Sequence, residues 1–213
     1  MTQREERNRH VALLTFDART GAMAPNPTAP LAVLPAGCGP RHLALHPTLP
    51  VAYVMCELAS SVVPLAYDRA TGVLAAPPGG ISPVSTLRGG AAAPTVQAGA
   101  DVIVSPDGRF LYATNRAAPA GTGENSVAVF EVAADTGALS PKGWADGGGS
   151  VNFPRHAALS PGEGALLATA NQHGASYTVF ARSLVTGALT LVGTSSAAPI
   201  TAPGFIALLP IAS

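Results

Sequence analysis

The amino-acid sequence predicts an all-β fold, a β-propeller built from four-stranded antiparallel blades. A block of short apolar segments recurs about three and a half times along the 213 residues. A Thr-Gly pair closes each copy, at positions 20/21, 71/72, 136/137 and 186/187. Repeats of about 40 to 60 residues made of short strands are typical of propeller blades and related arrays.

The chain is expected to enter the fold at the third strand of a blade. Residues 11–21 read V-A-L-L-T-F-D-A-R-T-G, which matches the third strand and the following turn of the later copies. Residues 1–9 match no blade element. We therefore predict a non-blade segment over residues 1–9 and a single partial propeller domain over residues 10–213.

Three further copies contain the strand segments of whole blades. Each segment is a short apolar run bounded by Pro, Gly, Asp or Ser, as expected for strands. The sequence Pro106-Asp107-Gly108 predicts a turn between the first two strands of one blade, because proline presets φ and glycine accepts a positive φ. A D-x-x-T-G motif predicts a second turn, before the outer fourth strand. The three copies cover residues 39–72, 100–137 and 153–187.

Some segments depart from the repeat. Residues 75–99 are rich in Pro, Gly and Ala, and they predict a surface excursion with one strand at residues 82–87. Pro64 falls inside a predicted third strand, where it removes a hydrogen-bond donor from the ladder. Residues 205–210 resemble the first strand of one more blade. Partial blades at both ends leave open sheet edges, so we expect self-association through these edges.

The composition argues against nucleic acid and membranes as partners. Net charge is zero, and 47% of the residues are apolar. The charged N-terminus lacks the apolar region of a signal peptide, and no run of about 18 apolar residues could span a membrane. These features predict a cytoplasmic protein. Cys38 and Cys56 suggest no disulfide framework and no metal pattern, and Cys56 is predicted to be a buried, reduced thiol.

The motifs G-P-R-H-L-A-L-H-P, Y-V-M-C-E-L and S-P-D-G-R-F-L-Y-A-T-N-R resemble the seven-bladed propeller lactonase family. That family includes 6-phosphogluconolactonases and muconate cycloisomerases. The resemblance runs from residue 11 to the C-terminus and implies that the chain corresponds to the C-terminal half of such a propeller. It implies a hydrolase for an anionic sugar lactone in carbohydrate metabolism, as in the pentose phosphate pathway, working without a metal ion or cofactor.

The resemblance also implies a site. The arginine of the family's G-P-R-H motif is Arg41, the glutamate sixteen residues later is Glu57, and the arginine that ends the third motif is Arg116. Guanidinium groups stabilise the charge that develops on an acyl oxygen, and a carboxylate can activate water. These are the expected catalytic residues. The expected substrate-binding residues come from the two Pro-Arg-His copies: His42, Arg155 and His156.

Two alternatives stay open. Ile103 stands where the family often has histidine, and the family's upstream histidine has no counterpart here. Both departures favour a non-catalytic propeller module, either an interaction scaffold or a degenerate paralogue. A muconate-type cycloisomerase would use the same residues in the reverse chemical sense. His46 and His173 are expected to be structural, and no H-x-H, H-E-x-x-H or paired-Cys arrangement predicts a metal site.

Overall fold

The computed structural model describes residues 9–90, 97–117 and 123–210. Within them the chain forms β-strands and two short 3-10 turns, at Arg88–Gly90 and Gly147–Gly149. The strands are β1 (His10–Ala12), β2 (Leu14–Phe16), β3 (Met23–Pro25), β4 (Leu31–Val33), β5 (Pro40–Leu45), β6 (Val51–Cys56), β7 (Ser61–Asp68), β8 (Val73–Ala75), β9 (Val84–Ser85), β10 (Gln97–Val104), β11 (Phe110–Ala117), β12 (Ser126–Val132), β13 (Leu139–Ala145), β14 (Pro154–Leu159), β15 (Leu166–Asn171), β16 (Ser176–Arg182) and β17 (Leu189–Ser196).

Strands β5–β17 form three antiparallel sheets in which neighbouring strands follow in chain order, except that β9 pairs with β7, and β1–β4 form two smaller two-stranded sheets. We call the three larger sheets blade II (β5–β9), blade III (β10–β13) and blade IV (β14–β17). The first strands of the three blades, β5, β10 and β14, lie beside one another, so they form the inner edge of the arrangement. The predicted all-β fold with four-stranded antiparallel blades is confirmed.

Blade I is a hairpin that comes first in the described chain. The first strand of this hairpin, which corresponds to the third strand of a whole blade, is divided into β1 and β2 at Leu13. The outer strand is divided into β3 and β4. The predicted turn closes this hairpin, because the Asp17 side chain accepts a hydrogen bond from the backbone N–H of Arg19 at 2.8 Å. The predicted entry at a third strand therefore matches the observed pairing. Most of the predicted non-blade segment, residues 1–8, lies outside the described residues.

The outer strand of blade II is interrupted beside Pro64. Strand β7 pairs with β8 through Ala66–Asp68 and with β9 through Ser61 and Val62. Pro64 lies between these two stretches and, having no N–H, offers no donor to an outer strand. The strand expected at residues 82–87 is the shorter β9, and residues 91–96 of the predicted excursion lie outside the described residues.

The hydrophobic core lies between successive blades, because alternate residues of each second strand face opposite neighbours. In β6, Val54 packs in the cluster shared with blade I, whereas Tyr53 and Met55 pack in the cluster shared with blade III. In β11, Leu111 faces blade II and Phe110 faces blade IV. Blades II and III thus bury both faces, which explains the near-continuous apolar runs in β6 and β11.

Buried tyrosines connect the second strands of blades II and III to the turn of the next blade. The Tyr53 hydroxyl donates to the carbonyl of Gly137 at 2.8 Å, and the Tyr112 hydroxyl donates to that of Gly187 at 2.9 Å. Burial raises the pKa of Tyr112 to about 12. The recurring Thr-Gly turn is therefore an inter-blade contact as well as a chain reversal.

Two expectations from the sequence are wrong. Cys38 and Cys56 form a disulfide with a Cα–Cα distance of 4.5 Å, so Cys56 is not a reduced thiol. The pairing of β5 with β6 places Pro40 opposite Cys56 and thereby brings the loop containing Cys38 alongside. Residues 205–210 form no strand. In the described part of the chain, no helix has the length and apolarity needed to cross a membrane.

Candidate functional site at the inner edge of the blades

Each inner strand carries a β-bulge near its start. The register shifts between Pro40 and Leu43 in β5, between Gly99 and Val102 in β10, and between Pro154 and His156 in β14. A bulge adds a residue to one strand and redirects its side chain. The bulges occupy the same position in three neighbouring blades, so they create one shared site.

The bulge residues are equivalent in the sequence repeat. Blade II presents Arg41 and His42 there, and blade IV presents Arg155 and His156. Blade III has Ala100 and Asp101 at the same place. An acidic residue therefore lies in the repeat position that histidine occupies in both neighbouring blades.

The ends of the second strands supply further polar side chains. Glu57 directly follows β6, and its backbone connects two inner strands. Its N–H donates to the carbonyl of Gly39 at 2.8 Å, and its carbonyl accepts from the N–H of Gly99 at 2.9 Å. Arg116 lies near the end of β11, and Gln172 follows β15. Strand ends and bulges thus converge on one region, which we call the inner-edge cluster: Arg41, His42, Glu57, Asp101, Arg116, Arg155 and His156.

Glu57 is bound by two arginines. Its Oε1 pairs with Nη2 of Arg116, and its Oε2 lies 3.6 Å from Nε of Arg41. Arg41 also donates from Nη1 to the carbonyl of Ala100 at 2.7 Å. These contacts form an ion-pair network that extends across blades II and III.

The guanidinium groups are close enough to influence one another. Burial lowers the pKa of Arg41, and Glu57 opposes this shift while Arg155 adds to it. Burial also lowers the pKa of Arg116, with Glu57 again opposing and both other arginines adding. Two guanidiniums therefore pair with Glu57, and a third, that of Arg155, lies close enough to influence both of them. The resulting excess of positive charge suits an anionic ligand.

The histidines of the cluster are arranged around Asp101, whose side chain is only 5% exposed. Its Oδ1 lies 2.6 Å from Nδ1 of His42, and its Oδ2 lies 3.6 Å from Nε2 of His156. Burial raises the pKa of Asp101, but the hydrogen bonds from His42 and Ala157 outweigh this effect and the net shift is downward. Asp101 is therefore held as a carboxylate between two imidazoles.

Phe153 supports Arg116 from blade IV. The Arg116 guanidinium lies 5.1 Å from the centroid of the Phe153 ring. The ring of His173 also stacks on Phe153, with a centroid distance of 3.8 Å. Phe153 has φ of 58°, a left-handed conformation that is uncommon for a bulky residue. Its strained backbone places an aromatic face beside a buried cation.

All six predicted site residues lie in the inner-edge cluster. Arg155 donates from Nη1 to Oε1 of Gln172 at 3.3 Å. Sequence reasoning missed Asp101 and Phe153. Alignment of Gly-Ala-Asp with the two Pro-Arg-His copies would have identified Asp101, whereas nothing in the sequence indicates the backbone conformation of Phe153.

His46 and Ile103 have structural surroundings. Nε2 of buried His46 lies 2.9 Å from the carbonyl of Gly108. Ile103 packs against the apolar cluster between blades III and IV. Among the described residues, no group of three or more His, Cys, Asp or Glu side chains is arranged to hold a metal ion.

Two cavities are candidate locations for the site, and only one of them lies beside the cluster. A pocket of about 180 Å³ opens beside Arg41 and His42 and is also lined by His10. A larger groove of about 450 Å³ lies next to Pro64 and Leu139, away from the cluster. The groove is mainly apolar and contains none of the cluster residues, so we place the candidate site at the inner edge.

Comparison with known proteins agrees with this arrangement. The family described as Lactonase, 7-bladed beta-propeller matches residues 9–206. A 6-phosphogluconolactonase from Bacillus subtilis is 34% identical over 169 residues, which are 76% of this chain and 42% of that protein. A 6-phosphogluconolactonase from Cronobacter sakazakii is 38% identical over 109 residues, or 51% of this chain and 29% of that protein.

Solved structures show the same fold. A protein from Lactobacillus plantarum has a TM-score of 0.72 and 30% identity, covering 90% of this chain and 50% of that one. The periplasmic gluconolactonase of Pseudomonas aeruginosa has a TM-score of 0.75 at 24% identity, covering 92% of this chain and 49% of that one, and this likeness concerns the fold alone.

The blades and the polar inner edge define a partial β-propeller with an arginine-rich site. This chain belongs to the seven-bladed β-propeller lactonase family. It spans about two fifths of the length of its Bacillus relative and half that of the Lactobacillus structure.

Proposed function

We propose that the inner-edge cluster binds an anionic sugar lactone and hydrolyses it without a metal ion. The observation that carries this proposal is the convergence of three mutually interacting guanidinium groups, two of which pair with Glu57. Guanidinium groups recognise phosphate and carboxylate through paired hydrogen bonds and remain charged when partly buried. The relatives named 6-phosphogluconolactonase support a phosphorylated sugar lactone as the substrate.

Hydrolysis would begin with attack of water on the lactone carbonyl. Arg41 and Arg116 would stabilise the negative charge that develops on the carbonyl oxygen. Glu57 would accept a hydrogen bond from the attacking water while keeping both guanidiniums oriented. Arg155 would contact the substrate's anionic group, since it comes from the next blade and is not paired with Glu57.

The test is a lactone hydrolysis assay on the purified 213-residue chain. We expect 6-phosphoglucono-δ-lactone to be hydrolysed faster than its spontaneous rate, and more efficiently than the unphosphorylated glucono-δ-lactone. We expect Glu57→Gln to lower kcat/KM roughly 10²-fold, because the attacking water and both guanidiniums would lose the carboxylate that orients them. The matched control is Glu131→Gln, because Glu131 is exposed on blade III, where it pairs with Lys142.

Two results would contradict the proposal. One is a wild-type rate equal to the spontaneous rate, and the other is equal activity of Glu57→Gln and wild type. Circular dichroism of each variant would establish that its fold is intact.

A second candidate is a non-catalytic binding module. The packing of Ile103 into the core favours it, because the expected histidine is replaced by an apolar residue that does not face the cluster. Calorimetric binding of 6-phosphogluconate without any lactone hydrolysis would support this alternative. The cycloisomerase alternative stays a prediction, since it would use the same residues.

A further inference from the structure

We propose that Asp101 is a positioning residue that fixes His42 as the proton acceptor of the inner-edge cluster. The inference rests on the proposed lactone hydrolysis and names the group that takes up the proton. It involves a residue of blade III and a residue of blade II that the bulges bring together. The proposal is carried by hydrogen-bond geometry, by the burial of Asp101 and by the way that the other candidate bases are occupied.

Asp101 determines which nitrogen of His42 carries hydrogen. A carboxylate accepts hydrogen bonds and cannot donate them, so Nδ1 of His42 must donate across the 2.6 Å contact. The neutral imidazole then has its lone pair on Nε2. This side chain is 36% exposed, so Nε2 remains available to a water molecule or a substrate.

Asp101 is itself fixed by the blade. Its Oδ1 accepts from the backbone N–H of Val102 at 2.9 Å, and its Oδ2 accepts from that of Ala157 in blade IV at 2.9 Å. Its own N–H donates to Oγ1 of Thr114 at 2.9 Å. The carboxylate therefore cannot turn away from His42 without losing several hydrogen bonds. Such support is what keeps an acid–base group oriented.

His156 is less available for this task. Its Nδ1 lies 3.4 Å from the backbone N–H of Ile206, and its Nε2 faces Asp101. The ring of Phe205 covers it at a centroid distance of 4.2 Å. Both nitrogens of His156 are thus directed at protein groups. In His42, by contrast, Nδ1 is directed at Asp101 and Nε2 remains available.

Glu57 is also occupied. Its two oxygens face Arg116 and Arg41, so its lone pairs are directed largely at guanidinium groups. It can orient a water molecule, but taking the proton would weaken both ion pairs. His42 follows Arg41 in β5 and lines a pocket together with His10. It therefore belongs to the inner-edge cluster but not to the ion-pair network of Glu57.

The proton balance of the reaction is complete with these groups. As the water oxygen bonds to the carbonyl carbon, one water proton passes to Nε2 of His42. When the tetrahedral intermediate collapses, the bond between that carbon and the ring oxygen breaks, and His42 returns the proton to the departing oxygen. Water and lactone thereby give a hydroxy acid, which loses its acidic proton to solvent. Asp101 stabilises the transient imidazolium and remains ionised throughout.

The first experiment is NMR spectroscopy of the ¹⁵N-histidine-labelled chain, which requires no activity. We expect neutral His42 to carry its hydrogen on Nδ1 in the wild-type protein, and a mixture of tautomers in Asp101→Asn, because an amide can donate or accept. Asp135→Asn is the matched control, since Asp135 lies exposed in the turn of blade III. A hydrogen on Nε2 of wild-type His42 would overturn the inference.

The second experiment measures lactone hydrolysis by the same proteins. We expect Asp101→Asn to lower kcat roughly 10²- to 10⁴-fold with KM little changed, as for other carboxylate–imidazole pairs. If Asp101→Asn retains wild-type kcat, the inference fails while the proposed function stands. If the wild-type chain shows no hydrolysis, the proposed function fails and the catalytic role of His42 fails with it.

A further variant covers the possibility that Asp101→Asn does not fold. His42→Gln changes a partly exposed side chain, and Asp135→Asn again serves as the control. We expect His42→Gln to lose kcat to the same extent as Asp101→Asn, with KM little changed. Full activity of folded His42→Gln would overturn the inference.

Discussion

At the residue scale, the cluster combines groups whose charges depend on one another. Arg41 and Arg116 are both shielded from water, so each relies on Glu57 for compensation. Removing one member of a buried ion pair leaves the remaining charge without a partner and is strongly destabilising. The variant Glu57→Gln should therefore lose stability as well as activity. Its loss of activity is meaningful only when the folded fraction has been measured.

The pH dependence of stability should report on His156. Burial lowers the pKa of His156 from its ordinary value of 6.5, with Arg41 and His42 adding to the effect. The unfolded chain then binds a proton at higher pH than the folded chain does. The corresponding stability is fully present above about pH 6.5 and is lost as the pH falls from there through the folded pKa.

We therefore expect the thermal midpoint to fall between pH 7.5 and pH 5.5, and His156→Gln to make this decline shallower. His173→Gln is the control for the substitution itself. Asp101 affects the pH dependence only in more acidic solution. Its lowered pKa adds stability that is present above about pH 3.8 and is lost as the pH falls below that value. Scanning calorimetry at several pH values is the measurement, and equal slopes for wild type and His156→Gln would rule the explanation out.

At the element scale, the strands could be predicted from the sequence but the bulges could not. Short apolar runs and turn residues are local signals, and they located the blades. A bulge depends on how two strands pair, which no local signal encodes. Simple alternation would direct Arg41 and His42 to opposite faces of β5, yet the shift between Pro40 and Leu43 allows both to reach the site. The six site residues were predicted through a family resemblance, whereas Asp101 was missed although it stands at the repeat position of His42 and His156.

The disulfide shows the same limit. Cys38 and Cys56 are 18 residues apart, and only the register of β5 against β6 makes them neighbours. The bond joins the loop before Arg41 to the residue before Glu57, so it fixes the separation of two parts of the inner-edge cluster. The predicted cytoplasmic location is not tested by this bond and stays a prediction.

We expect the disulfide to raise the free energy of unfolding by about 3 kcal/mol, as for closed loops of about this length. The double variant Cys38→Ala/Cys56→Ala should therefore unfold at lower urea concentration than the oxidised protein. A reducing agent should shift the wild-type midpoint and leave the double variant unchanged. Alkylation and intact-mass measurement under denaturing conditions give the direct test. Two alkylated thiols without reduction would show that the bond is absent.

At the scale of the whole molecule, each core cluster is shared by two neighbouring blades. Stability should therefore depend on contacts between adjacent blades, as in other repeat proteins. Blades II and III have apolar neighbours on both faces. Blade I differs, because several of its large apolar side chains face solvent, with Leu14 54%, Phe16 66% and Met23 69% exposed.

Exposed apolar strand residues favour contact with another chain, because burying them removes apolar surface from water. We therefore expect the purified chain to self-associate, with a weight-average mass that rises above 21.2 kDa as concentration increases. Phe16→Glu should weaken this association, since it places a charge in the apolar region. Val185→Glu is the control, because Val185 is 73% exposed but lies in the turn of blade IV.

Sedimentation equilibrium over a hundredfold range of concentration would measure both effects. A constant mass of 21.2 kDa would show that the apolar surface of blade I does not mediate association. Equal weakening by both variants would show that association uses another surface. A specific loss in Phe16→Glu would instead indicate that a second chain covers blade I. Repeating the lactone assay across the same concentrations would then reveal whether the associated form has the higher activity.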